Sequence, residues 1–313
     1  MSEEARVICC GEALIDMIPT ECDGASLAYQ PCSGGSVFNT AIALGRLGIP
    51  TEFLTGLSSD LFGEQIKQAL VESGVGSSLC KQSKLPTTLA FVKLANGHAT
   101  YHFYDENSAG RMLSIDDVGP VPASINALFF GGISLAVEPC ARTYEAIALR
   151  EAENHVIMVD PNVRPGFIED ANVYRTRIRS MMAHSDIVKL SDEDIAWFFP
   201  ELDGLEARVG EVQKLGPSIV VITKGADGAT AYLCDGREIS IRSEQVTVVD
   251  TVGAGDTFNA GMLAKLDEMN LLNKSALKSI SDEAIAQAMA YAARVAGVTV
   301  SRKGANPPWA GEL

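Results

Sequence analysis

The chain has 313 residues, enough for one large α/β domain or two smaller ones, and its 47% apolar and 21% charged content is that of an ordinary globular protein. Lys and Arg number 25 against 40 Asp and Glu, a formal charge of −15, which argues against nucleic acid or an anionic membrane surface as the main partner. That balance does not forbid an anionic cosubstrate, because a helix terminus or a metal supplies local positive potential. The seven cysteines are odd in number and form no C-x-x-C, so reduced thiols are expected rather than metal or disulfide use. No signal-peptide pattern surrounds Glu3 and Glu4, and no apolar run nears the roughly 18 residues of a membrane span, so a cytoplasmic location is expected.

In chain order, Arg6-Val7-Ile8-Cys9-Cys10-Gly11-Glu12 reads as a strand buried on both faces, with Asp16 expected near its carboxyl edge. The weakly alternating stretch to Cys32, broken at Asp23-Gly24, reads as one or two exposed strands. Ser33-Gly34-Gly35-Ser36 opens a helix over 37–47 that Gly48 closes, placing Asn39 in its first turn. A strand over 51–57 follows, then a helix from an Asp60 cap to about 73. Asn96-Gly97 between the alternating runs 88–94 and 99–104 signals a hairpin. Among parallel βα units it is out of pattern, which predicts a small antiparallel flap joined by the early exposed strands.

Strands at 127–131, 155–160, 187–190 and 218–223 then alternate with helices at 139–153, at 173–184 and from Ser191. A second hairpin, 229–234 with 238–242, is closed by Asp235-Gly236. Residues 245–249 read as a strand running into Gly253-Ala254-Gly255 and a helix over 258–266, and two more helices follow, the last over about 282–297. With no internal repeat or low-complexity linker, one domain over 1–313 is expected, carrying a lid formed by about 17–33 and 86–106.

This rhythm predicts a doubly wound, mainly parallel sheet with helices on both faces. Ligands in such sheets bind beyond the carboxyl ends of the strands. The polar residues expected there are Asp16, Asp160 with Asn162 and Arg164, Lys189 with Ser191 and Asp194, Thr223 with Gly225 and Gly228, and Asp250 with Asp256. The glycine-rich turn at 253–255 frees N–H groups at a helix start, a ready anion site. Asp256 beside that anion suits a base that takes a proton from an attacking hydroxyl. Each residue also has a purely structural reading: Asp256 as a helix cap, Ser191-x-x-Asp194 as a capping box, Asn39 as a solvated helix residue. Joint placement at one sheet edge is what favours function.

Ser33-Gly34-Gly35-Ser36-Val37-Phe38-Asn39-Thr40-Ala41, with Leu44-Gly45-Arg46-Leu47-Gly48, resembles the N-terminal signature of the ribokinase-like (PfkB) carbohydrate kinases. Asp250-Thr251-Val252-Gly253-Ala254-Gly255-Asp256-Thr257-Phe258 resembles their C-terminal signature. Gly11-Glu12-Ala13-Leu14-Ile15-Asp16, Phe103-Tyr104-Asp105-Glu106-Asn107 and Val188-Lys189-Leu190-Ser191-Asp192-Glu193 look most like the bacterial fructokinases of that family, as does Gly304-Ala305-Asn306-Pro307-Pro308-Trp309. The resemblance implies transfer of the ATP γ-phosphoryl group to a sugar hydroxyl, for a fructokinase the 6-hydroxyl of fructose, beneath a β-lid.

By position it implies that Asp256 is the base and that the amides of Gly253, Ala254, Gly255 and Asp256 form the anion hole. Asp16, Gly34, Gly35, Asn39 and Arg164 would hold the sugar, with Phe103 of the flap beside it. Lys189, Ser191, Thr223, Gly225 and Gly228 would lie along the nucleotide. The family usually carries Asn-x-x-Glu to place Mg²⁺; Ser191 and Asp194 stand there instead, with Asp194 reaching the metal through water. Asp250, Val252, Arg302 and Gly304 match the neighbourhood where many members hold a monovalent cation such as K⁺.

Within the class, 2-keto-3-deoxygluconate kinase or another PfkB sugar kinase is the alternative; a keto acid would want more cations in the flap than His102 offers. A non-catalytic sugar-binding protein would be expected to have lost Asp256 or its glycines. A nicotinamide-dependent dehydrogenase would need G-x-G-x-x-G where Gly11-Glu12-Ala13 stands. The exposed flap edge leaves room for a homodimer.

Overall fold

Four consecutive apolar residues form β1 (Val7–Cys10), and their side chains alternate between the two sheet faces. The computed structural model describes residues 4–22, 25–95 and 98–313. After β1 the chain leaves the main sheet as β2 (Leu14–Cys22) and β3 (Ala25–Gly34) and returns as α1 (Ser36–Arg46). β4 (Thr51–Leu54), β5 (Gly56–Ser58), α2 (Leu61–Glu72), β6 (Val75–Gly76) and β7 (Lys81–Ser83) precede the hairpin strands β8 (Leu89–Ala95) and β9 (His98–Tyr104). A regular alternation follows: β10 (Ala127–Gly131), α3 (Cys140–Glu151), β11 (Val156–Asp160), α4 (Ala171–Ala183), β12 (Ile187–Ser191) and α5 (Asp192–Phe198). The chain ends with α6 (Leu205–Gln213), β13 (Ile219–Thr223), β14 (Ala229–Leu233), β15 (Glu238–Ile241), α7 (Ala254–Glu268), α8 (Lys274–Lys278) and α9 (Asp282–Val300).

The main sheet runs β15-β14-β13-β12-β11-β10-β1-β4-β6, parallel from β13 to β6 and antiparallel at the β14–β15 end. From β1 the chain winds outward through β4 and β6, then crosses back to β10 and winds the other way. The strand order therefore switches between β1 and β10, where a crevice opens at the carboxyl ends. Val7 and Cys9 pack in a core with α1, α7 and α9, while Ile8 and Cys10 pack in a second core with α3 and α4. Helices on both faces are thus as expected. Among the described residues, no helix is long and apolar enough to cross a membrane.

Four sequence expectations need correction. Residues 245–249 form no strand: they cross from the edge strand β15 to the helical layer, where Val249 N and Asp250 N donate to Val300 O at the end of α9. Val248 and Val249 are left 58% and 60% exposed, so their alternation marks no sheet face. Asp250 and Asp256 therefore do not follow a strand. Asp16 belongs to β2, in a separate sheet of order β3-β2-β8-β9, rather than to the end of β1. That sheet is mixed, because β2 and β8 pair parallel while the two flanking pairs are antiparallel. The stretch 51–57 breaks into β4 and β5, and β5 pairs with β7 in a two-stranded sheet. The Asp23-Gly24 and Asn96-Gly97 turns lie outside the described residues.

Candidate active site

At the switch point lies a cleft of about 310 Å³. Its walls come from the ends of β1 and β10 (Glu12, Ile133), the turn after β11 (Asn162, Arg164), the α1 start (Gly35, Ser36, Asn39) and the α7 start (Thr251–Asp256). Leu14, Asp16 and Phe103 reach in from the four-stranded sheet. The glycine pair has a steric reason. A Cβ on Gly34 would stand 2.3 Å from Asp16 Oδ2, and Gly35, at φ 111°, would drive one to 2.9 Å from Glu12 O. Glu12 Oε1 accepts from Ser36 N and Ser36 Oγ at 2.9 and 2.8 Å, which fixes the start of α1. Burial pushes the Glu12 carboxyl up.

Gly253 turns the chain into α7 with φ 81° and ψ 1°, the left-handed region, and a Cβ there would lie 2.8 Å from Ala305 Cβ. Helix geometry leaves the first-turn N–H groups of Gly255 and Asp256 without an intrahelical acceptor. Ala254 N donates to Thr251 O at 3.3 Å. Asp256 is 7% exposed. Its Oδ2 accepts from Asn39 Nδ2 at 2.9 Å and its carbonyl from Thr40 Oγ1 at 3.1 Å, so α1 clamps α7 at the site. Burial pushes the Asp256 carboxyl up to about 7; Asn39 works against that, the Asp160 charge adds to it, and Lys189 and Arg164 oppose it. A carboxyl poised there suits a general base working at neutral pH. Burial also pushes Asp16 up to about 6.

Arg164 stands exposed at the rim, its Nη1 donating to Val163 O at 3.1 Å. Phe103 meets Phe167 edge-on, ring centroids 4.7 Å apart, so the small sheet touches the core above the cleft. Lys189, expected along the nucleotide, is buried and ion-paired, its Nζ 2.9 Å from Asp160 Oδ2.

The other residues expected along the nucleotide lie outside the cleft walls. Thr223 is paired with Ser191 at the ends of β13 and β12. Gly225 (φ 53°) and Gly228 (φ 97°) form the next turn, and at Gly228 a Cβ would lie 2.1 Å from Ile241 O, a structural demand. Ser191 and Asp194 make a complete capping box: Ser191 Oγ accepts from Asp194 N, and Asp194 Oδ2 from Ser191 N. Asp194 Oδ1 also accepts from Val163 N at 2.9 Å, tying α5 to the Asp160–Arg164 turn. Asp250 accepts from Val252 N and Gly304 N, at 3.1 and 2.9 Å, stapling the 250s loop to the chain after α9. Among the described residues, no three His, Cys, Asp or Glu side chains converge as a metal site.

The sequence reading missed Glu12, Ser36, Thr40, Ile133 and Asn259 as site components. Asn259 carried a usable signal: three residues past Asp256, it shares that face of α7. Its Nδ2 donates to Asp160 Oδ2 at 2.7 Å.

A helix N-terminus with free amides, a buried carboxylate beside it and a switch-point crevice partly walled by a second sheet suit phosphoryl transfer to a small hydroxylated acceptor. The model of the pfkB family carbohydrate kinases matches residues 4–310, and the chain belongs to that family. A fructokinase from Rhizobium leguminosarum bv. trifolii is 51% identical over 279 residues, covering 89% of this chain and 85% of that protein. A fructokinase structure with bound ATP from Xylella fastidiosa superposes with a TM-score of 0.88 at 25% identity, over 96% of this chain and 93% of that one. The fructokinase of Vibrio cholerae O395, in a form with fructose, ADP and calcium ion bound, shares the fold with a TM-score of 0.82 at 23% identity, over 96% and 94% of the two chains.

Proposed function

We propose that this protein is an ATP-dependent fructokinase that transfers the γ-phosphoryl group to the 6-hydroxyl of fructose. One observation carries the reading: Asp256, buried and raised to about 7, sits where the cleft meets the free amides of α7. Fructose lies in the cleft against Asp16, Asn39, the Gly34-Gly35 backbone and Phe103, and its 6-hydroxyl gives its proton to Asp256. The amides of Gly255 and Asp256 face the transferred phosphoryl group, and Arg164 reaches it from the rim. Such a reaction asks for positioning and charge stabilisation, and little covalent work from the protein. The four-stranded sheet serves as the lid that keeps water from ATP. Arg164 is the one cationic side chain in the cleft wall among the described residues, which favours a neutral sugar over a keto acid.

ATP binds along Ser191, Thr223, Gly225 and Gly228, and brings Mg²⁺ with it. Both Asp194 oxygens already accept backbone N–H groups, so Asp194 would act on a Mg²⁺ through water rather than ligate it directly. When bound, the ion screens the phosphate charges. The loop stapled by Asp250 is where a K⁺ would sit. A second copy of the chain has the edge strands β3 and β9 of the lid sheet available for pairing.

A coupled ADP-release assay across fructose, ribose, 2-keto-3-deoxygluconate, glucose and adenosine tests the acceptor. Fructose should give the highest kcat/KM. A higher value for any other sugar overturns the substrate, and silence across the panel overturns the kinase reading.

A further inference from the structure

The buried pair beneath the α7 N-terminus is not used by the mechanism above. Lys189 is 2% exposed and Asp160 1%. The Asp160 carboxylate is held from three sides, its Oδ2 by Lys189 Nζ and Asn259 Nδ2 and its Oδ1 by Asn162 N at 3.2 Å. Burying such a pair gains little stability over apolar side chains of the same size, so its worth has to be sought elsewhere. Its placement relative to Gly255 is specific. A Cβ built on Gly255 would lie 3.1 Å from Lys189 Nζ, and apart from the helix backbone and the chain neighbours that ammonium is what lies within 4 Å of the point. The Asp160 carboxylate is farther away, so the Gly255 turn meets the cation first. A Cβ there would crowd the ammonium, which would have to give by a few tenths of an ångström.

We propose that Lys189 is a positioning residue of phosphoryl transfer, its ammonium held by Asp160 beneath Gly255 so that it adds positive charge behind the anion-binding amides of α7. The proposal rests on the kinase reading. A fixed charge inside a dry interior acts over several ångströms with little screening, so it strengthens those amides without touching the substrate. It also bears on the base. Asp256 is faced by Lys189 from β12, Asp160 from β11, Arg164 from the following turn and Asn39 from α1, and Asp16 of β2 lines the same cleft. Of these, Lys189 and Arg164 favour the carboxylate by their charge, as Asn39 does by its hydrogen bond. Burial works against the Lys189 ammonium, but Asp160, by charge and hydrogen bond, and then Asp194 and Asp256 hold it protonated.

Lys189→Met is made in an Asp160→Asn background, so that no buried carboxylate is left unpaired, and compared with Asp160→Asn alone. Loss of the ammonium should lower kcat for fructose about 10-fold, less than removal of a direct oxyanion donor, with KM for fructose changed less than about 3-fold. The acid limb of the pH–rate profile should move to higher pH. A readout independent of turnover comes from thermal unfolding across pH, with and without Asp256→Asn: the midpoint at which Asp256 titrates should rise when Lys189 is lost. Gly255→Ala, which crowds the ammonium but keeps the ion pair, should move the midpoint the same way by less, and it serves if Asp160→Asn does not fold. An unmoved kcat and midpoint in both arms overturns the proposal. Wild-type protein silent on fructose overturns the fructokinase reading instead, and the unfolding arm still decides the role of Lys189.

Discussion

Asp256 is a carboxyl group taken out of water and left, among the described residues, with one side-chain donor, Asn39, on Oδ2. The consequence is a proton that leaves near pH 7. Below that pH the base is occupied, so kcat/KM for fructose should fall about tenfold per pH unit on the acid side, a limb a pH–rate profile reads directly. Stability carries the same signature. The folded pKa lies above the unfolded one, so the favourable contribution of the protonated group is complete below about pH 4 and is lost as pH rises through 7. Asp256→Asn suffers no such loss, and its Tm advantage over the wild type should widen between pH 5 and pH 8. A gap independent of pH would contradict the raised value. At the other wall of the cleft, Gly34→Ala would put a methyl 2.3 Å from Asp16 Oδ2 and turn that carboxylate away from the proposed sugar position. KM for fructose should rise about 10-fold, the size of effect a misplaced binding group gives; an unchanged KM would remove Asp16 from the sugar site.

The element that concentrates the chemistry is the first turn of α7. Gly253 enters it in a conformation that an L-residue adopts only with strain, and Ala305 fills the space a side chain would need. Gly253→Ala should therefore cost about 1–3 kcal/mol and lower Tm, with kcat falling alongside as the amides shift; unchanged Tm and kcat would show that the turn tolerates another route. Helix starts of this kind were readable because their signals are local. Asp60 caps α2 and Ser191 boxes with Asp194, each within three residues. The 245–249 segment misled because alternation reports a sheet face only where a neighbouring strand exists, and here the partner is the end of α9.

At the scale of the molecule, the strand order puts the ends of β1, β10 and β11 around one crevice, and the separate sheet carries Asp16 and Phe103 over it. The βα rhythm and the two glycine signatures made that architecture legible. What no local pattern revealed were pairings across long stretches of chain, such as Asn39 with Asp256 and Asp160 with both Lys189 and Asn259, because each needs the finished sheet to bring its partners together. Glu12 stayed hidden because a charged residue after a buried strand looks like a solvated end until Ser36 and Ser134 are folded onto it. With a charge of −15, a protein acting on a polyanion would have to rely on a few placed groups, here proposed as the α7 amides, Arg164 and buried Lys189, rather than on its overall field. The central claim is that Asp256 takes the proton from the 6-hydroxyl. Steady-state ADP release with fructose, measured for Asp256→Asn beside fructose binding by calorimetry, tests it most directly. The account predicts kcat at least about 10²-fold lower with binding retained; turnover close to wild type in a variant that still binds fructose would contradict it.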